Sequence, residues 1–168
     1  MAAHPQNPFF NVIRNPLKFK LFLLQKLPAA FMAGVRLQSV SESSCTVSVR
    51  YKWATQNPFR STYFACLAMA AEMSTGVLAM AHVQGHRPPI SMLIGSMESK
   101  FHKKATGLTL FTCNDGEAVK HTIQAAAESG EGQTFTAYTK GENERGELVA
   151  EFWFTWSFKS KKAKNSNV

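Results

Sequence analysis

The chain has 168 residues, of which 45% are apolar and 11% are aromatic. This length fits one domain, and this composition excludes a wholly disordered chain. The three cysteines, Cys45, Cys66 and Cys113, form no C-x-x-C pair, so neither a disulfide framework nor a zinc knuckle is indicated. We therefore expect buried, unpaired thiols and a reducing, cytoplasmic location.

Two basic clusters contribute to the formal net charge of +8. The first contains Lys159, Lys161, Lys162 and Lys164. The second contains Lys100, His102, Lys103 and Lys104. We expect residues 159–168 to form a disordered basic tail. The second cluster is either a solubilising surface or a contact for a ligand that bears phosphate. No nucleic-acid partner is expected, because aromatic and basic residues are not interleaved on one strand face.

The N-terminal segment, residues 1–33, is predicted to be helical and to pack on the main domain. Asn15 followed by Pro16 is typical of an N-cap and a first helical residue, which predicts a short amphipathic helix from Leu17 to Lys26. A signal peptide is the alternative, but the apolar run at residues 21–24 is shorter than the roughly 7 residues that a secretory segment needs.

Apolar and polar side chains alternate between Gly34 and Trp53. The apolar residues of one parity are Val47, Val49, Tyr51 and Trp53. This alternation predicts a half-buried antiparallel strand, which forms a hairpin with the preceding segment Val35–Ser41.

A long helix is predicted from Thr62 to Val83, where Ala, Met and Leu predominate and no glycine occurs before Gly76. Its apolar residues lie on every side, so we expect the helix to be enclosed by the rest of the domain. A membrane span is the alternative, because about 20 residues can cross a bilayer. That alternative is disfavoured by Glu72 in the middle of the helix and by the amphipathic strands on both sides.

The remaining segments predict four strands and a second helix. The strands are Ser91–Phe101, Gly107–Cys113, Gln133–Lys140 and Glu147–Phe158. The helix follows Asn114 or Asp115 as its cap, with Val119, Ile123, Ala126 and Ala127 on one face. A long apolar helix needs a strongly curved sheet to cover it. Residues 34–158 are therefore predicted to be one α+β domain in which a curved antiparallel sheet wraps around the long helix.

Glu72 is the only acidic residue between Ser43 and Met97, and it lies in the most apolar helix of the chain. An ionised carboxylate buried there without a partner would cost several kcal/mol or have a raised pKa. A carboxylate that reaches the surface or pairs with a base is the simpler interpretation. The functional interpretation is a general base or a nucleophile whose pKa is set by burial.

The helix geometry suggests where the rest of such a site lies. The first turn of the helix, near Phe64, exposes backbone N–H groups that could hold an oxyanion. Glu72 is eight residues further along, roughly 12 Å along the axis, so one helix cannot supply both groups to one small carbonyl. Two antiparallel copies could, which predicts a two-fold homodimer, with a dimer of dimers as a larger alternative.

A resemblance to a known family rests on residues 57–65, N-P-F-R-S-T-Y-F-A, followed by L-A-M-A-A-E at residues 67–72. The chain resembles the hotdog-fold thioesterases, in particular an uncharacterised, DUF4442-like branch related to the phenylacetyl-CoA thioesterase type. The family pattern has an Asn, then a His-Gly-Gly six residues on, then an Asp or Glu nine residues after the His. Asn57, Tyr63 and Glu72 reproduce both spacings.

The resemblance implies a hotdog fold and hydrolysis of acyl-CoA at a dimer interface. Carried over by position, Glu72 would be the base or nucleophile, the Phe64 N–H the oxyanion donor, and Asn57 a group that orients the thioester or water. Ser91 would come from the strand edge of the same site. Tyr63 stands where the family has His, and Phe64 and Ala65 stand where the family has its two glycines. The added side chains leave a ligand less room to approach the backbone.

Two functions follow from these residues. The first is hydrolysis of an acyl-CoA thioester, with Lys100, Lys103 and Lys104 available to the CoA phosphates and with no cofactor beyond the CoA of the substrate. The second is a non-catalytic protein that binds acyl-CoA or a fatty acid. No metal site is predicted, because no H-E-x-x-H pattern occurs.

Overall fold

The structure, a computed structural model, describes residues 8–161. Five α-helices occur in this range: α1 (Pro8–Ile13), α2 (Pro16–Lys26), α3 (Pro28–Ala33), α4 (Phe64–Val83) and α5 (Gly116–Ser129). Six β-strands accompany them: β1 (Arg36–Val40), β2 (Cys45–Arg50), β3 (Ile90–Phe101), β4 (Leu108–Cys113), β5 (Gln133–Asn143) and β6 (Leu148–Ser160).

The six strands form one antiparallel sheet in the order β1-β2-β4-β5-β6-β3, so β1 and β3 are its two edges. Strands β2 to β6 all contact α4, which is therefore the central helix. The inner face of β6 carries a row of aromatic residues, Phe152, Phe154, Trp156 and Phe158, and all four side chains are buried. The predicted α+β arrangement of a sheet around a central helix is confirmed.

Small side chains let α4 pack closely against the sheet. Ala70, Ala71 and Ala79 are fully buried, and the Ser74 hydroxyl donates to the Ala71 carbonyl at 2.7 Å and shares a second hydrogen bond with the Thr139 hydroxyl at 2.8 Å. Helix α4 alone among the described helices is long and apolar enough to cross a membrane. Two-thirds of its apolar stretch is buried inside the domain, which is typical of a core helix.

The described N-terminal helices, α1, α2 and α3, pack on the domain. Asn15 caps α2, since its Oδ1 accepts hydrogen bonds from the backbone N–H groups of Leu17 and Lys18, and Pro16 is the first helical residue. Phe19 and Leu23 lie on one face of α2 and are buried. The structure adds two helices, α1 and α3, that the sequence patterns had not resolved.

The predicted strand through Tyr51 to Trp53 ends earlier, at Arg50. The Thr55 hydroxyl donates to the Arg50 carbonyl at 2.8 Å and accepts from the Lys52 N–H at 3.0 Å, which closes a 3-10 turn. Trp53 lies on this turn and is 85% exposed, so it does not belong to the buried face.

Two further boundaries differ because the strand pairing continues beyond the predicted ends. Strand β5 runs to Asn143, so the predicted loop 141–146 is shorter. Strand β6 runs to Ser160, which pairs with Ile90, so the predicted tail begins two residues later, and residues 162–168 lie outside the described range. Asp115 occupies the N-cap position of α5, but its carboxylate accepts from the Tyr138 N–H at 2.7 Å and makes no side-chain cap.

Candidate active site

Glu72 lies in the middle of α4, and its side chain is largely buried. Its carboxyl has no hydrogen-bond or ion-pair partner among residues 8–161, and burial alone raises its pKa to about 7. A group of this kind changes its protonation state near neutral pH, which is the property that general-base chemistry needs.

The immediate surroundings of Glu72 come from Gly76 and Trp156. A methyl group added at Gly76 would lie 2.9 Å from Oε1 of Glu72 and 3.4 Å from the Trp156 ring. The indole N–H of Trp156 donates to the Thr75 hydroxyl at 3.1 Å, and that hydroxyl donates to the Glu72 carbonyl at 2.9 Å. The carboxyl therefore lies in a narrow space over a glycine, beside an indole that is fixed by a hydrogen bond.

Asn57 organises the loop that leads into α4. Its Oδ1 accepts from the N–H of Phe59 at 2.9 Å and from both the N–H and the hydroxyl of Ser61 at 3.2 Å. Its Nδ2 makes only a 3.5 Å contact, with the Thr62 carbonyl, and can offer its second hydrogen to another acceptor. Arg60 adopts a left-handed conformation, φ 57°, inside this turn. The geometry agrees with a turn-forming role for Asn57, and the orienting role stays a prediction.

The amino end of α4 carries the N–H groups that the sequence predicts to be oxyanion donors. Tyr63 is the N-cap, and its carbonyl accepts from the N–H groups of Cys66 and Leu67. The N–H groups of Phe64 and Ala65 have no backbone acceptor within the described part of the chain. The rings of Tyr63 and Phe64 meet edge to face, with centroids 4.9 Å apart, and both are about half exposed.

A cavity of about 440 Å³ opens beside this helix end. It lies between the loop at residues 57–64 and the segment at residues 101–105. Lys103 and Lys104 line it, so two of the three lysines predicted to contact phosphate lie near the amino end of α4. Lys103 also pairs with Glu147 at 2.8 Å, which lowers the pKa of that carboxyl.

The structure does not bring Lys100 and Ser91 to these groups. Lys100 pairs with Glu151 in the strand register and lies over the Trp153 ring at 5.1 Å, on the sheet face away from α4. Ser91 pairs with Lys159, and its hydroxyl donates to the Lys159 carbonyl at 3.0 Å. Its neighbours in β3, which pair with the inward row of β6, face α4 instead. A shift of one residue reverses the face of a strand side chain, which accounts for the misplacement of Ser91.

Several lining residues were not identified from the sequence. They are Thr75, Gly76, Phe59, Phe101 and Trp156. Gly76 could have been found, because it is the one glycine inside α4 and lies four residues after Glu72, on the same helix face. Trp156 required the three-dimensional register of β6 against α4.

The fold belongs to a class with many solved representatives. The hotdog fold is shared with PA5026 of Pseudomonas aeruginosa, a protein of unknown function described as a probable thioesterase: 20% identity, 87% of this chain and 97% of that chain covered, TM-score 0.72. It is shared with the thioesterase HI1161 of Haemophilus influenzae: 12% identity, 86% and 92% covered, TM-score 0.61. The PaaI protein from the phenylacetic acid degradation operon of E. coli also matches: 12% identity, 86% and 94% covered, TM-score 0.59.

The model of one sequence family, DUF4442, a domain of unknown function, matches residues 17–158. The chain therefore belongs to the DUF4442 family, and the prediction of a hotdog-fold protein of this branch is confirmed. No curated protein sequence matches the chain.

Proposed function

We propose that the protein is a cytoplasmic acyl-CoA thioesterase that works as a homodimer, with Glu72 at its centre. The observation that carries the proposal is the largely buried carboxyl of Glu72, which has no partner among residues 8–161 and a pKa of about 7. At neutral pH a substantial fraction of this group is ionised, and the lack of a side chain at Gly76 leaves room for its Oε1.

In the proposed reaction a water molecule attacks the thioester carbonyl while Glu72 takes its proton. The tetrahedral oxyanion accepts hydrogen bonds from the N–H groups of Phe64 and Ala65. The C–S bond then breaks, the proton passes to the departing thiolate, and the products are a carboxylic acid and free CoA. A direct attack of the Glu72 carboxylate, with a later hydrolysis of the anhydride, is the nucleophilic variant of the same site.

The dimer is required because Glu72 and Phe64 are roughly 12 Å apart along one helix. The edge strand β3 offers the surface for a second copy. Met97 and Phe101 pair in register with Phe154 and Ala150 of the buried β6 row, so they lie on the inner face, yet each is about half exposed. A second α4 laid antiparallel beside them would cover this apolar strip and bring Glu72 of each copy to Phe64 of the other.

Binding of the CoA portion is assigned to Lys103 and Lys104. Both line the cavity beside the amino end of α4, where a thioester carbonyl held by the Phe64 N–H would place the CoA chain. Among residues 8–161 the Lys104 ammonium makes a hydrogen bond only to the Phe59 carbonyl, at 3.5 Å, so it is available to a phosphate. Lys100 contributes at most at longer range, since it lies on the other face of the sheet.

A second candidate function is supported by the rings of Tyr63 and Phe64. They stand where thioesterases of the resembled type have small or catalytic residues, and their bulk at the cavity narrows access to the oxyanion donors. A protein that binds acyl-CoA or a fatty acid without turnover would keep the cavity and lose the reaction.

The test measures release of free CoA from short, medium, long and aromatic acyl-CoAs by the parent protein, Glu72→Gln and Glu117→Gln. Glu117 is an exposed acid on α5 and controls for the loss of one charge. The proposal expects release by the parent and by Glu117→Gln, and a loss of at least about 100-fold in Glu72→Gln. Binding by calorimetry without release from any substrate would favour the second candidate.

The oligomeric state is tested separately by light scattering. Met97→Lys places a charge in the apolar strip of β3 without touching Glu72 or the cavity. We expect a dimeric parent, a monomeric variant and loss of CoA release together, because each site needs both copies. A monomeric parent that retains full activity would contradict the shared site.

A further inference from the structure

Helix α2 exposes a row of leucines that no described residue covers. Leu17, Leu21 and Leu24 are spaced i, i+4 and i+7, so they share one helix face. They are 76%, 52% and 50% exposed, whereas Phe19 and Leu23 on another face are buried in the domain. Helix α2 therefore lies on the protein surface with apolar side chains pointing both inward and outward.

The charge around this leucine row has one sign. No Asp or Glu occurs before Glu42, while the segment 1–41 contains five Lys or Arg residues. They are Arg14, Lys18, Lys20, Lys26 and Arg36. Lys18 and Lys20 are exposed on α2 next to the leucines, and no ion pair involves either within the described residues.

A groove beside another face of α2, the one that carries Phe19, Lys20 and Leu23, extends this positive region. It has a volume of about 590 Å³ and lies between α2 and β1. Its cationic lining consists of Arg14, Lys20, Arg36 and Lys52, and no acidic residue lines it. Arg14 and Lys52 donate to the backbone carbonyls of Val40 and Met32, both at 3.3 Å, which leaves their charges uncompensated.

These features favour one kind of binding partner for the leucine row. A second copy of the chain would bring two regions of the same charge together across a two-fold axis, which is unfavourable. A bilayer with anionic lipids accepts apolar side chains at the boundary of head groups and acyl chains and attracts the flanking lysines. We infer that α2 docks the protein on an anionic membrane surface through Leu17, Leu21 and Leu24. This inference is independent of the proposed thioesterase site, which lies on α4 and the opposite edge of the sheet.

The experiment is co-sedimentation of the full chain with vesicles. One set contains phosphatidylcholine alone, and the other an equal mixture with phosphatidylglycerol. The parent is expected to bind the anionic set and not the neutral set. Leu17→Ser is expected to weaken binding about tenfold and the triple serine variant of the row to abolish it. Leu93→Ser, at a leucine that is 71% exposed on β3, is the matched control and should bind as the parent does.

A second set of variants tests whether the lysines contribute to vesicle binding. Lys18→Glu with Lys20→Glu should abolish binding, whereas the matched double variant Lys120→Glu with Lys159→Glu should reduce it only slightly. Each variant is checked for folding by thermal denaturation and for mass by light scattering. Three results would overturn the inference: no binding of the parent to anionic vesicles, equal binding by the leucine variants, or a change in oligomeric mass caused by them. Equal binding by the leucine variants would mean that net charge alone binds the vesicles. A change in oligomeric mass would mean that the leucine row contacts a second copy of the chain.

Discussion

Glu72 and Gly76 lie one turn apart on α4, and the carboxyl of Glu72 occupies the space that a side chain at residue 76 would need. A methyl group there would be 2.9 Å from Oε1, closer than atoms normally approach, and it would be in van der Waals contact with the Trp156 ring at 3.4 Å. The glycine thus sets the position of the acid. This relationship allows the position of the carboxyl to be changed without removing its charge.

Gly76→Ala should reduce kcat for CoA release by about 10-fold to 100-fold, because the carboxyl must move away from its reactive position. The substitution should not destabilise the helix, since alanine is more stable than glycine in a helix interior by roughly 0.5 to 1 kcal/mol. Steady-state kinetics and urea denaturation on the same preparation separate the two effects. Gly132→Ala is the control, as no atom lies within 4 Å of the added methyl. Unchanged kcat in Gly76→Ala would show that the position of the carboxyl does not matter.

The pH dependence of activity should report the raised pKa of Glu72. Since the base must be ionised, kcat/KM is expected to rise with pH through a midpoint near 7 and then to level off. An ordinary glutamate would give a midpoint near its usual value of about 4.3. The rising limb should be absent from any residual activity of Glu72→Gln. A midpoint below about pH 5 in the parent would contradict burial as the factor that sets this pKa.

Burial of Glu72 should also make stability depend on pH. Its pKa is higher in the folded protein, about 7, than the ordinary value of 4.5 for a glutamate, so the native state binds more protons between these values and the free energy of unfolding falls as pH rises. Glu72→Gln removes this loss. We expect the variant to match the parent below about pH 4.5 and to be more stable by roughly 2 to 3 kcal/mol above pH 7.

The measurement is urea denaturation at a series of pH values for both proteins. Glu117→Gln, at an exposed acid, should show no such divergence. A stability difference that stays constant from pH 4 to pH 8 would mean that the carboxyl of Glu72 is paired or solvated in the folded protein.

The fold was predictable because its main signals are local. The apolar surface all round α4, the alternation in β2 and the aromatic row of β6 each indicate burial from sequence spacing alone. The exceptions arise where one side chain overrides the pattern. Thr55 ends β2 before Tyr51 by hydrogen bonding the Arg50 carbonyl, and no periodicity reveals that bond.

The candidate site was predictable only in part, because its components come from separated segments. Glu72 was identified because an acid is conspicuous in an apolar helix. Ser91 was placed on the wrong face, since a strand register cannot be fixed to one residue by composition. Lys103 and Lys104 reach the cavity because the chain turns after Phe101, whereas Lys100, still within β3, points to the other face.

A glycine of the sheet also occupies a position where a side chain would meet a close neighbour. Gly141 of β5 pairs with Phe111 of β4 and with Ala150 of β6, and a methyl group at residue 141 would overlap the buried Phe111 ring. That ring also packs edge to face on Phe152, with centroids 5.6 Å apart, so it has little room to move. The glycine therefore permits a large aromatic residue at the centre of the sheet.

Gly141→Ala should destabilise the protein by about 1 to 3 kcal/mol through overpacking, with the Gly132→Ala control near zero. Urea denaturation gives both values, and an unchanged m-value would confirm that only the folded state is affected. Phe111→Leu provides the decisive comparison, because it removes the ring that the methyl group would meet. Gly141→Ala should cost less in the Phe111→Leu background than in the parent, since contacting residues are not additive. Equal costs in both backgrounds would assign the effect to the strand backbone and not to Phe111.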